Sequence, residues 1–413
     1  MNFRLKSQHK MNASPCKEWI PGALNDRQLK QLIDKEFIKN AGDSALDYSS
    51  FDLRLDHDVY EMVEGSVKPH GRGYERFLKT QKKYAKVTSW EPNEELVLKP
   101  KTTYVFKLKE QLATKLRGLP IHGQATAKSS VGRVDVLARL IVDGMHNYEE
   151  FDETMWEEDG AGGDISMFLE VTPITFHVRV KKGKSLSQLR LFYGKPEESE
   201  IKGKELYQAV FLHDEDFRDD KNIVDECLRV NVSNIPFKAN NAAAFRAKSG
   251  KKEPVKLWVD KDSAGNSINL LDPSEYWDLV PSEDGRFPIT KTNFFILRSK
   301  EKILLRRGVC VYCRAIDETI GEMRIHYAGF VHPYFGHHIK KDGSVVAIGT
   351  PLIFEVRGHD VNVVLIDNEP LARLQFYRMS EDCEETPNKE KLSAYHDQIL
   401  RLSQFFDQFP ILN

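Results

Sequence analysis

The spacing of apolar positions changes several times along this chain. Between residues 22 and 38 (GALNDRQLKQLIDKEFI) they recur at helical spacing behind an Asn25-Asp26 start signal, which predicts a short amphipathic helix. From about 48 to 193 the period shortens. Alternating or β-branched runs such as Tyr104 to Leu108, Val134 to Val142 and Phe176 to Val180 are separated by Gly and Pro, and many short strands with turns between them predict a barrel or jelly roll. Residues 195–226 are strongly charged, with a few helical apolar repeats, and predict a connector. A second strand-rich stretch follows, and 387–409 return to helical spacing, which predicts a terminal amphipathic helix packed on the body or on a partner subunit. The division expected is a first β domain over 1–194, a charged helical connector over 195–226, a second β domain over 227–385 and a C-terminal amphipathic helix over 386–413.

The two strand-rich stretches are related. Phe168-Leu169-Glu170-Val171 through Leu189-Arg190-Leu191-Phe192 aligns without a gap on Ile353-Phe354-Glu355-Val356 through Leu374-Gln375-Phe376-Tyr377, so Glu170 falls on Glu355. Upstream, after a small insertion or deletion, Ser129 to Val134 fall on Glu318 to Met323. One β-rich unit is used twice.

At 413 residues the chain is long enough for two domains with separate cores, and its net charge of -2 gives no sign of a dedicated binder of nucleic acid or acidic membrane. No run approaches the roughly 18 apolar residues of a membrane span, and the basic start lacks an apolar signal core, so the cytoplasm is the expected location. Five scattered cysteines form no disulfide framework, and reduced thiols are expected.

Two features can carry chemistry. Lys128-Ser129-Ser130-Val131-Gly132-Arg133 combines hydroxyls, backbone amides, a glycine and two cations, a set able to hold phosphate oxygens; its structural alternative is a polar turn between strands. Glu170 lies in an otherwise apolar strand, where burial would raise its pKa and suit it to take a proton from water and return it to a ring nitrogen; its alternative is a solvent-facing position in an alternating strand. A zinc reading of His213-Asp214-Glu215 with Cys310-Val311-Tyr312-Cys313 fails on context, because thiols three apart on a strand point to opposite faces. The histidines at 326, 332, 337 and 338 predict a polar loop.

Taken together, Leu24-Asn25-Asp26-Arg27, Ser50-Phe51-Asp52-Leu53-Arg54-Leu55, the Lys128–Arg133 run, and Phe168-Leu169-Glu170-Val171 with Leu186-Ser187-Gln188-Leu189 resemble dCTP deaminase of the dUTPase-like superfamily. Gly321 to Phe330 and Leu352 to Arg357 resemble the C-terminal half of its long tandem form. The resemblance implies a mainly β fold of two tandem dUTPase-like distorted β-barrel or jelly-roll (β-clip) domains with a few peripheral helices. It implies hydrolysis of dCTP to dUTP and ammonia, with Glu170, Ser129 and Arg133 catalytic. Lys128, Ser130, Gln188, Tyr327, Ala328 and His332 would bind substrate, and Asp52 and Arg54 would be structural. It further implies magnesium accompanying the triphosphate, no zinc, and a homo-oligomer with sites between neighbouring barrels. Glu318 and Glu322 replace the serine and arginine in the second half, so that half is expected to scaffold the first. A dUTP diphosphatase, a bifunctional deaminase and diphosphatase, and a non-catalytic nucleotide sensor are the alternatives.

Overall fold

The computed structural model describes residues 18–42, 46–90, 94–157, 163–203, 206, 210–212, 227–250, 253–315, 323–326, 329–340, 342–392 and 399–412. In the first lobe six antiparallel strands carry the fold: β1 (Phe51–Met62), β2 (Tyr104–Leu112), β3 (Ile121–Ala127), β4 (Val136–Val142), β5 (Ile165–Pro173) and β6 (Ser185–Tyr193). Their order is β4-β5-β2-β1-β6-β3. The second lobe has β7 (Cys227–Asn231), β8 (Phe294–Ile303), β9 (Val309–Ala315), β10 (Met323–His326), β11 (Thr350–Gly358) and β12 (Pro370–Arg378). Their order is β10-β11-β8-β7-β12-β9, the same path with every strand replaced by its counterpart.

The repeat is held to the residue in its last part. β5, the strand Val178–Lys181 and β6 begin at 165, 178 and 185; β11, the strand Val363–Ile366 and β12 begin at 350, 363 and 370, each 185 positions later. An internal ion pair recurs with the strands. Arg54 of β1 donates its backbone N–H and its Nε to the fully buried Glu110, both at 2.7 Å, and Arg229 of β7 donates to Glu301 from its backbone N–H at 2.8 Å and its guanidinium at 3.3 Å. Arg54 thus holds a buried carboxylate, whereas Asp52, expected to be structural with it, lines the cleft described below. A buried carboxylate at the centre of a sheet needs such a partner.

Strand alternation sets the core: along β1, Leu53, Leu55 and Val59 are buried while Asp52 and Arg54 are half-buried. Helix is peripheral. The main examples are α1 (Asp26–Asp34) and α2 (Tyr74–Thr80). α1 starts where expected, because Asn25 accepts from the N–H of Gln28 while the Gln28 side chain accepts from the N–H of Asn25, a reciprocal cap. No helix among the described residues is long and apolar enough to cross a membrane.

The lobes share a core. Phe176 packs edge-on against Tyr276 and Trp277, and both of those meet Phe406. Val255–Lys256, from an excursion of the second lobe, runs parallel to Val178 and Arg179 and extends a first-lobe sheet. Arg190 of β6 is fully buried at the junction. It donates to the carbonyl of Val311 (3.0 Å) and to Ser49 Oγ (3.2 Å), and its guanidinium lies 4.1 Å from the Phe330 ring centre.

Two expectations change. The terminal helix expected over 386–413 is, among the described residues, one turn at Lys389–Leu392, and 401–412 run as turns and isolated bridges, Leu271 to Phe406 and Phe237 to Ile411 among them. Tertiary contact wins over the helical spacing, because Leu402, Phe405 and Phe406 are all buried against the lobes. In the connector expected over 195–226, Pro196–Ser199 forms a single 3₁₀ turn, Glu200–Ile201 pairs with β12, and Phe211–Leu212 pairs with β8; most of the remainder lies outside the described residues.

Candidate active site between the lobes

The Lys128–Arg133 run leaves β3 and turns into β4. Lys128 is extended and Ser129–Gly132 forms a single helical turn, α3, with the N–H of Arg133 bonded to the carbonyl of Ser129 at 3.0 Å. The turn faces a cleft of about 510 Å³, which Lys128, Ser129, Ser130 and Arg133 line with Asp47, Asp52 and Gln188. Its far wall is Ser267 and Leu270 of the second-lobe excursion and residues from Arg401 to Gln408. The C-terminal segment is tied down over the turn, since Ser403 Oγ donates to the carbonyl of Ser130 at 2.7 Å.

The cleft's charges are arranged in pairs. Lys128 Nζ lies 2.5 Å from Asp52 Oδ2, and burial pushes the Asp52 carboxyl above its ordinary range while Lys128 opposes that shift. Gln188 accepts from Ser50 Oγ at 3.3 Å. Arg133 Nε lies 3.8 Å from Glu355 Oε1 of β11, and both side chains are almost wholly buried. Glu355 therefore stands one side chain deeper than the cleft wall. Its carboxyl is pushed up to about 8 by burial, with Arg133 pulling the other way.

The structure does not bring Glu170 to Ser129 and Arg133. Glu170 is buried on β5 opposite Arg139, which donates to its Oε1 at 2.7 Å, while Tyr148 donates to Oε2 at 3.0 Å; Arg139 itself lies 4.2 Å above the Tyr148 ring. Arg139 lies three residues along β4 from its start at Val136, roughly 10 Å of strand. Within one chain, the carboxylate beside Arg133 comes from the other copy of the repeat.

His332 does reach the site's margin. Its Nδ1 is 2.9 Å from Ser49 Oγ and its Nε2 is 3.6 Å from the cleft carboxylate Asp47, and burial lowers the imidazole to about 4. Tyr327 and Ala328 lie outside the described residues, as do Glu318, Glu322 and His213-Asp214-Glu215. Cys310 packs with Phe192, Tyr312 and Tyr377, whereas Cys313 packs on the opposite face against the second-lobe core, so the two thiols do not converge. Sequence reasoning missed Asp135, a fully buried carboxylate beside the turn, and the C-terminal wall. The left-handed backbone at Asp135 had no sequence signal, and the helical spacing of 387–409 pointed away from an extended wall.

Residues 20–195 match the model of the 2′-deoxycytidine 5′-triphosphate deaminase N-terminal domain, and residues 199–406 match that of its C-terminal domain. No curated protein sequence matches the chain. In fold, it is similar to the crystal structure of 2′-deoxycytidine 5′-triphosphate deaminase from Agrobacterium tumefaciens, with a TM-score of 0.71 and 24% identity over 88% of this chain and 97% of that one. A lobe pair with one strand order, a phosphate-competent turn facing an interlobe cleft, and family models that between them span both lobes lead to one conclusion: the chain belongs to the 2′-deoxycytidine 5′-triphosphate deaminase family and is an enzyme that deaminates dCTP.

Proposed function

We propose that dCTP is converted to dUTP and ammonia in the interlobe cleft, with Glu355 rather than Glu170 as the proton shuttle. The observation that carries this reading is the pairing of Arg133, a cleft residue, with Glu355, while both oxygens of Glu170 are taken by Arg139 and Tyr148. Lys128 and Ser130 bind phosphate oxygens, Ser129 and Arg133 hold water and base against each other, and Gln188 and His332 border the nucleoside. Glu355 takes a proton from water as the oxygen attacks C4 of cytosine and delivers it to N3; the proton left on the new C4 hydroxyl then passes to the amino group, the C4–N bond breaks, and ammonia leaves as the C4 carbonyl forms. A carboxyl poised near 8 suits both halves of that transfer close to neutral pH.

The route needs no zinc. Magnesium fits the cleft's oxygen donors, and Asp47, Asp52 and Asp407 are carboxylates on its wall. Asp52 is already engaged by Lys128, so the ion would be held mainly by the triphosphate, whose charge it would neutralise. A cytoplasmic homo-oligomer belongs to the same proposal. The first-lobe strand that carries Glu170 is the counterpart of the one the second lobe uses for docking, which supports contact with another copy, and light scattering reads it.

The test is dCTP turnover with dUTP, dUMP and pyrophosphate resolved. Glu355→Gln should lose about 10²- to 10⁴-fold in rate while still binding dCTP, and Glu170→Gln should keep most of its turnover. Wild-type turnover in Glu355→Gln would sink this assignment, and pyrophosphate among the products would show a diphosphatase as well.

A further inference from the structure

We propose that Asp135 and Arg357 form a positioning pair that holds the Ser129–Arg133 turn of the first lobe in register with Glu355 of the second. The inference rests on the reading of the site given above and concerns how it is assembled.

Asp135 lies two residues beyond Arg133, and Arg357 lies two residues beyond Glu355 on the same face of β11. The guanidinium of Arg357 reaches both oxygens of Asp135, Oδ1 from Nε at 3.3 Å and Oδ2 from Nη2, and the two residues share Thr175, whose hydroxyl donates to Asp135 Oδ2 at 2.5 Å. Arg357 also donates to the carbonyl of Thr292 in its own lobe. The interlobe contact is therefore a two-pronged ion pair anchored on both sides. Planar, bidentate pairs of this kind fix orientation as well as distance.

Residue choice at 135 points the same way. Its φ is 58°, a left-handed conformation for which glycine is the ordinary solution, and its side chain is fully buried. Aspartate tolerates that backbone, but a fully buried carboxylate is unfavourable unless its charge is used. The amide of Asp135 bonds to the carbonyl of Gly132 at 2.8 Å, and its carbonyl accepts from Ile174 at 2.9 Å, so the carboxylate is rigidly coupled to the turn that bears Ser129 and Arg133.

The repeat adds direction. In the alignment that places Ser129 on Glu318 and Glu170 on Glu355, Asp135 falls on Arg324 and Arg357 falls on Thr172. The reciprocal docking, second-lobe turn on first-lobe strand, would set Arg324 against Thr172 with no carboxylate between them. The pair thus selects the one arrangement that joins Ser129 and Arg133 to Glu355.

The experiment uses the full chain with Asp135→Gly, Arg357→Gln, Arg357→Lys and the double Asp135→Gly/Arg357→Gln, reading kcat, KM, dCTP affinity and thermal melting. Glycine suits the backbone at 135, so a residue needed only for the turn loses nothing. A positioning role predicts a kcat loss of about 10- to 100-fold with dCTP affinity within about threefold, because misplacement by an ångström penalises the chemical step. Arg357→Lys should recover part of that loss, and the double variant should be no worse than the poorer single. Wild-type kcat in a folded Asp135→Gly, or losses that multiply in the double, would overturn the pair's role. If Asp135→Gly does not fold, Arg357→Gln carries the same criteria, and failure of both to fold would assign the pair to stability alone and overturn the proposal. Glu355→Gln, run alongside, separates the two readings: full activity there sinks the site assignment, whereas an inactive Glu355→Gln with an unimpaired Asp135→Gly sinks only the positioning pair.

Discussion

Arg133 and Glu355 meet 3.8 Å apart although 222 residues of chain separate them, 355 minus 133. Neither lobe holds this pair alone, and the opposing effects of burial and of Arg133 set the proton affinity of the carboxyl. If the deprotonated form of Glu355 is the base, kcat/KM for dCTP should rise with pH, levelling off above about 8. A profile flat from pH 6 to 9 would contradict that role.

Stability supplies an independent reading of the same group. The folded carboxyl at about 8 lies above its ordinary value of 4.5, so the native state binds the extra proton between those pH values. By linkage, the stabilisation is fully present below about 4.5 and is lost as pH rises through about 8. Glu355→Gln, which stays neutral, should therefore melt increasingly above wild type between pH 5 and 8, with the difference levelling off beyond that. An unchanged difference in melting temperature across that range would show that the carboxyl titrates normally.

Arg190 predicts a stability effect with little chemistry in it. Replacement by Met leaves the Val311 carbonyl and Ser49 Oγ without their buried donor, a loss on the order of 3 kcal/mol in denaturant unfolding. Arg190→Lys should recover little of it, because an ammonium cannot stack on Phe330 and donate in two fixed directions at once.

The C-terminal wall predicts a KM effect. Ser403→Ala removes the hydrogen bond to the Ser130 carbonyl, worth about 0.5–1.5 kcal/mol, and should raise KM for dCTP severalfold with kcat nearly unchanged. Phe406→Ala, which empties a contact with Tyr276 and Trp277, should in addition lower stability by about 3–5 kcal/mol.

Much of this was legible in the sequence. The alternation of β1, the cap at Asn25 and Gln28, and the ungapped step from Glu170 to Glu355 each reflect local rules, and the strands keep that step to the residue. The Lys128–Arg133 turn stood out because its residue types are those that can hold phosphate oxygens, and Lys128, Ser129, Ser130 and Arg133 line the cleft. Which of two equivalent glutamates would face Arg133 was not, since that depends on how one lobe docks on the other, and residues as distant as Asp135 and Arg357 decide it. The spacing of Leu402, Phe405, Phe406 and Phe409 is helical, yet these side chains pack along an extended path because Tyr276, Trp277 and Phe245 offer a better surface than a helix of their own. Periodicity records which residues are apolar, and the receiving surface is written elsewhere in the chain.

The composite cleft also has a consequence in time. A ribosome adding about 5–20 residues per second needs roughly 10 to 45 seconds to pass from Ser129 to Glu355, and a few seconds more to reach the residues that close the wall. Throughout that interval the nascent first lobe can carry its Ser129–Arg133 turn without Glu355 beside it, so on the proposed assignment it is chemically inert until the second lobe has been made and has docked.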